Sequence, residues 1–279
     1  MKRILLVIDA LNPDAQALDF VCYLGRLTNS VITGVFLDNL VADERLSLKT
    51  MHGNLFLEWD VDKYSPEQRQ KSSIIDQNIS VFRETCGKKS VRCSVHRNNG
   101  VPASEIISGS RYADIIVADA ATSFDKTEVG TPTAFIRDVL KDAECPVIIA
   151  PESFNTVDEL IFAYDGTQSA AFSIKQFTYL FPEFTDRKAT VLQVNKEGEW
   201  QGDDRKSFGD WIQNHYSKIG FEVLKGNTDD RLFNYLSKKN NIFLVMGSYG
   251  RTDLSNLFNS SQADLLINTI IQPIFIAHP

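Results

Sequence analysis

The glycine loop Met246-Gly247-Ser248-Tyr249-Gly250-Arg251 follows the apolar run Ile242 to Met246, and after the nine residues Arg251 to Asn259 it is answered by Ser260-Ser261. An unbroken apolar run of this length reads as a fully buried strand. A strand that feeds a glycine turn and then a helix aims backbone N–H groups at an anion, because the first N–H groups of a helix lack internal partners. The chemistry these residues suit is therefore phosphate binding, and a nucleotide is the first ligand to consider. A second candidate lies upstream: Leu160-Ile161-Phe162-Ala163-Tyr164-Asp165 is an apolar run ending in a carboxylate, followed by the helix-start residues Thr167 to Ser169. Asp165 could hydrogen-bond a ligand there or serve only as a turn and cap former.

The elements that must position these residues come from an internal repeat. Lys2 to Asp9 is the same device as Leu160 to Asp165, and Cys145-Pro146-Val147-Ile148-Ile149 matches Gln272-Pro273-Ile274-Phe275-Ile276. Between the repeats, strands are expected at about 31–37, 91–96, 114–119 and 146–150, then at 189–194, 221–225, 242–246 and 273–277. Helices are expected between them near 13–29, 65–86, 102–112 and 132–142, then 168–181, 204–218, 229–239 and 260–270. This alternation implies parallel strands with right-handed crossovers and helices on both faces. The fold class is α/β, two tandem doubly wound domains with separate cores. Pro151 to Asn155 reads as the linker, giving domains 1–152 and 153–279. From its opening Asp to its closing Pro the first half is 29 residues longer, mainly at 38–64, where Met51, Leu55, Phe56, Leu57 and Trp59 are too apolar for a plain solvated loop. Halves joined by so short a linker are expected to dock as a pseudo-symmetric pair, covering the edge strand each would otherwise leave open.

Composition sets outer limits. The net charge of −7 gives no field to attract nucleic acid or an anionic membrane. No apolar stretch approaches the roughly 20 residues that cross a bilayer, so a cytoplasmic location is expected. Cys22, Cys86, Cys93 and Cys145 lack CxxC spacing and read as reduced thiols, and the four histidines are scattered, so no metal site is indicated.

These residues resemble the universal stress protein domain, here in tandem. The domain opens with a strand ending in Asp, carries Gly-x-x-Gly, nine residues and Gly-Ser or Gly-Thr, and closes with a Cys-Pro-Val-type strand. The resemblance implies a flavodoxin-like or Rossmann-like fold and, in the nucleotide-binding branch, ATP (or ADP or AMP) across the carboxyl ends of the strands, with any Mg held by the phosphates. Carried onto this chain, Asp165 sits beside the adenine or ribose and Val194 contacts adenine through its backbone. Met246 and Gly247 border the sugar, Gly250 lets the backbone approach the phosphates, Arg251 adds a charged contact, and Ser260 and Ser261 present N–H groups and a hydroxyl. The chain departs from the pattern at Ser260, where the motif has its third glycine. The partners implied are the nucleotide, the two domains for each other, and a second copy in a homodimer, with neither nucleic acid nor membrane.

The first half has lost this loop. Aligned on the closing prolines, Ala120, Ser123, Thr133 and Ala134 stand where the second half has Gly247, Gly250, Ser260 and Ser261. With Asp119, Asp125 and Glu128 nearby to repel phosphate, no ATP is expected there, although Asp9 remains. The chain also lacks GxxxxGK[ST], the Ser-Gly-Gly-x-Asp-Ser loop of pyrophosphate-cleaving relatives, G-x-S-x-G and HExxH. Binding as a ligand or slow switch is the leading reading. A nucleotide-free protein in which the segment around Phe56 and Trp59 binds a partner or a small apolar ligand, and a slow ATPase, are the alternatives.

Overall fold

The computed structural model describes residues 2–38, 45–51, 54–60, 66–98, 100–125, 127–128, 130–200, 205–247, 264, 266–268 and 270–279. In the first half, β1 (Arg3–Asp9), α1 (Ala15–Leu27), β2 (Val31–Leu37), β3 (Arg45–Met51), β4 (Asn54–Asp60), α2 (Pro66–Lys88) and β5 (Arg92–Asn98) follow one another. They lead into α3 (Pro102–Ser110), β6 (Ile115–Ala118), α4 (Ala134–Asp142) and β7 (Val147–Ile149). The second half runs β8 (Glu159–Ala163), α5 (Gln168–Leu180), β9 (Lys188–Asn195), α6 (Arg205–Gln213), β10 (Ile219–Lys225), α7 (Thr228–Leu236), β11 (Ile242–Met246) and β12 (Ile274–Ile276). Of the helix expected at 260–270, the described residues 264 and 266–268 are helical.

The alternation expected from the repeat is therefore present, and local chemistry explains the helix starts. Asp14 caps α1 by accepting from Gln16 N and Ala17 N, and Thr167 caps α5 through Ala170 N. Helix α6 stops at Gln213 and β10 already begins at Ile219, both earlier than periodicity suggests. The turn between them brings Tyr216, 1% exposed, down onto Phe162, and its hydroxyl meets Thr178 Oγ1 at 3.0 Å. Tertiary packing overrides the helical pattern there.

The ten main strands form one sheet, ordered β10-β9-β8-β11-β12-β7-β6-β1-β2-β5. Pairing is parallel within each half and antiparallel at the seam, where Ile274, Phe275 and Ile276 face Ile149, Ile148 and Val147. The apolar cores divide by face of the sheet, not by half, so the expected separate cores give way to two continuous ones. One contains side chains of α1, α2, α5 and α6, the other those of α3, α4, α7 and Leu266, Ile267 and Ile270. On the first face, Phe20 of α1 packs edge-on to Phe154 and Phe243, and Phe177 meets both Phe243 and Phe275. On the other face Arg137 of α4 pairs with Asp264 at 3.2 Å, and Thr131 hydrogen-bonds Asn268.

The extra segment of the first half contains a second, two-stranded antiparallel sheet, β3 with β4, in which Leu46 faces Trp59 and Leu48 faces Leu57. It is inserted between β2 and α2. All four cysteines are free, with Cys22 and Cys86 buried and their Sγ atoms 4.0 Å apart.

Because the cores cross the seam, Phe275→Ala, at a fully buried position, is expected to cost about 3–5 kcal/mol. Urea unfolding followed by circular dichroism and by tryptophan fluorescence should shift as one cooperative transition. Separate transitions for the two halves would contradict a shared core.

Candidate functional site

In each half, the chain leaves its opening strand and crosses to a neighbour on one side, while the strand on the other side belongs to a later crossover. In the second half β8 lies between β9 and β11, and in the first β1 lies between β2 and β6. This is the topological switch point of a doubly wound sheet, where a crevice opens at the carboxyl ends of the strands. Asp165, Val194, Met246 and Gly247 are brought together at that edge, on β8's exit, β9 and β11. Gly250, Arg251, Ser260 and Ser261 lie outside the described residues.

Asp165 is half-buried and its Oδ1 accepts from Thr167 N at 2.8 Å and Thr167 Oγ1 at 2.6 Å. The turn-forming role is therefore real, but it uses one oxygen, and Oδ2 has no hydrogen-bond partner among the described residues. The backbone beside it is open too. The last β8–β9 pair is Ala163 with Leu192, and Tyr164 N donates to Leu192 O at 3.0 Å. Residues two apart on a strand point their backbone groups to the same side, so Val194 directs its N–H and C=O past the end of β8. Gly166 has φ of +83°, a conformation that costs a side-chain-bearing residue strain, and it turns the chain away before it can close this edge.

The first half closes every one of these positions. Strand register equates Asp9 with Asp165, Ala10 with Gly166 and Leu37 with Val194. Ala10 N donates to Leu37 O at 2.9 Å, so the backbone acceptor left open at Val194 is used. Asp9 Oδ1 accepts from Leu11 N and Asn12 N, and Oδ2 accepts from Asn12 Nδ2. Gly166 was not singled out from the sequence, and Ala10 in its place was the signal that could have found it.

Register also corrects the comparison of the two loops. Ile116 N donates to Pro146 O as Leu244 N donates to Pro273 O, at 2.9 and 3.0 Å, so Ala118 matches Met246 and Asp119, not Ala120, stands at the place of Gly247. The acidic residues act differently from the repulsion expected. Glu128 turns onto the N-terminus of α4, where Oε1 accepts from Ala134 N and Oε2 from Ser123 Oγ at 2.7 Å. A carboxylate of the chain itself occupies the helix end at which an external anion would sit. Asp125 faces its own turn, accepting from Thr127 N and Oγ1. Burial pushes the Asp119 carboxyl above its usual range, outweighing the hydrogen bond it accepts from Ala121 N.

Gly247 has a packing reason of its own. Ser173 of α5 donates to Met246 O at 2.6 Å, drawing the helix against the end of β11, and a Cβ on Gly247 would lie 2.9 Å from Ala170 N. The glycine permits strand–helix contact, so its presence alone does not argue for a ligand.

No protein-family model matches the chain. It is 21% identical over 288 residues to a universal stress protein of Synechocystis sp., a match covering 97% of this chain and 98% of that one. The likeness spans both halves, and the Asp-ended strands, the glycine loop and the closing Pro strands occur in the family's order. Over its whole length the chain is similar to a universal stress protein. Its fold is similar to the crystal structure of a universal stress protein from Archaeoglobus fulgidus, with a TM-score of 0.70 at 17% identity over 99% of this chain and 98% of that one. It is also similar to a functionally unknown protein from Pseudomonas aeruginosa, with a TM-score of 0.59 at 12% identity over 100% and 93% of the two chains.

Two outcomes follow from this geometry. Gly247→Ala should destabilise the protein by about 1–3 kcal/mol through the clash with α5, measured by urea unfolding without any ligand; an unchanged midpoint would return Gly247 to a purely ligand-facing role. The raised folded-state pKa of Asp119 means its ionisation costs stability once the pH exceeds the unfolded value. Asp119→Asn should therefore be more stable than the natural protein at pH 7, with the gain fading at pH values below the ordinary aspartate pKa; a loss at pH 7 would show that its charge is needed.

Proposed function

We propose that the second half binds an adenine nucleotide, ATP foremost, across the carboxyl ends of β8, β9 and β11, as a ligand or slow switch in a cytoplasmic stress-response protein. The observation that carries this reading is the contrast at the switch point: the carboxylate oxygen of Asp165 and the backbone of Val194 lack partners among the described residues, while Asp9 and Leu37 have theirs within the chain. A ribose hydroxyl or the adenine amino group would donate to Asp165, and the adenine edge would pair with the Val194 backbone. Met246 and Gly247 would border the sugar, while Gly250, Arg251, Ser260 and Ser261 would receive the phosphates along with any Mg they hold. No ATP is assigned to the first half, where Glu128 already caps α4. Among the described residues no cluster of carboxylates or histidines could hold a metal, and no helix is long and apolar enough to cross a membrane.

The decisive measurement begins with protein purified without added nucleotide, analysed by absorbance ratio and mass spectrometry for carried adenine nucleotide. Calorimetric titration with Mg·ATP should then show one site. Asp165→Asn, which keeps the oxygen that Thr167 needs, and Gly250→Val should each weaken binding at least tenfold, about 1.4 kcal/mol, with the unfolding midpoint of Asp165→Asn unchanged. Affinity that survives both substitutions sinks the proposal. Gly247 is unsuited to this test because its substitution disturbs packing.

A further inference from the structure

The first half has an opening on the α1–α2 face of its sheet. Between α1 and α2, above β1 and β2, a cleft of about 190 Å³ is walled by Leu6, Ile8, Leu18, Phe36, Val81 and Phe82. Register equates Ile8 with Tyr164, and the corresponding space in the second half is filled by aromatic rings. Tyr164 stacks on Phe208 with centroids 4.1 Å apart and on Trp200 at 5.7 Å. The same fold thus fills this space in one half and leaves it open in the other, so the cleft is not a requirement of the architecture.

The polar part of the wall offers acceptors. Asp14 and Asp19 contribute carboxylates, Asn78 spends its amide N–H on the carbonyl of Ala10 at 2.8 Å, and among the described residues no basic side chain lines the cleft. Asp14 accepts from two backbone N–H groups of α1, and Asp19 pairs with Lys89 at 2.8 Å outside the cleft, so both carboxylates are held in place. An apolar bed with fixed anionic acceptors at its edge suits a molecule with a short hydrocarbon body and a donating, positively charged head.

We propose that this cleft is a ligand site of the first half for small apolar amines, independent of the nucleotide reading. The α1–α2 walls take the hydrocarbon body, and Asp14 and Asp19 take the ammonium group.

The probes are decylamine and decanoate, matched in chain length and opposite in charge, each used below its micelle concentration in calorimetric titrations of the full chain. Decylamine should saturate at one equivalent, and decanoate should bind at least tenfold more weakly. Val81→Trp, at a position 50% exposed, fills the mouth without changing charge and should weaken decylamine at least tenfold. Asp14→Asn keeps a capping oxygen and should narrow the gap between the two probes. Thermal unfolding checks that each variant is folded, and Thr85→Phe from the same wall replaces Val81→Trp if the latter is not. No saturable heat, equal binding of the two probes, or decylamine binding unaffected by the filled mouth would overturn the assignment. The last result would mean only that a chain of charge −7 attracts cations.

Discussion

Three backbone positions on each of β7 and β12 hold the two halves in one sheet. A short antiparallel ladder would be weak in water, but here both strands are buried on both faces, and water cannot compete for their hydrogen bonds. Phe275 anchors the aromatic layer on one face, and Arg137 with Asp264 spans the seam on the other. Once this pairing forms, each apolar core extends beneath helices of both halves. Neither half has a core that ends at its own boundary, so the repeat is visible in the strands while the packing belongs to the whole chain.

On this shared frame the halves have diverged in complementary ways. The first satisfies its own switch point: Ala10 continues the ladder to Leu37, Asn12 covers Asp9, and Glu128 supplies an anion to α4. The second interrupts its ladder at Gly166 and leaves polar groups at the edge, while Tyr164, Phe208 and Trp200 close the space between α5 and α6. Each change is local and small, yet together they move the accessible polar edge into one half and the accessible apolar cleft into the other.

Much of the fold was legible because buried parallel strands and amphipathic helices leave strong periodic patterns, and the repeated Asp and Pro residues showed where each half begins and closes. The hairpin β3–β4 was legible only as an apolar excess, since alternation within it is broken by Leu55 to Leu57. The sequence alignment of the two loops was shifted by one position, because strands β6 and β7 do not carry the same offset from their counterparts and only hydrogen-bond register resolves it. In the candidate site, Asp165 stood out as the carboxylate at a strand end, whereas Val194 was reached only through the family resemblance. That Glu128 would fold back as an internal cap could not, because this depends on the path of a loop whose residues carry no periodic signal. Gly247 carried an ambiguity that spacing cannot resolve, as phosphate approach and helix approach both require the absence of a side chain.

The seam also governs how copies of the chain can meet. With β7 and β12 spent on one another, the margins of the sheet among the described residues are β5 and β10. β5 carries Arg92, His96 and Arg97, and β10 carries Glu222 and Lys225. Charged margins of this kind resist sheet extension from molecule to molecule. Because β7 and β12 belong to one chain, their pairing forms without dependence on protein concentration.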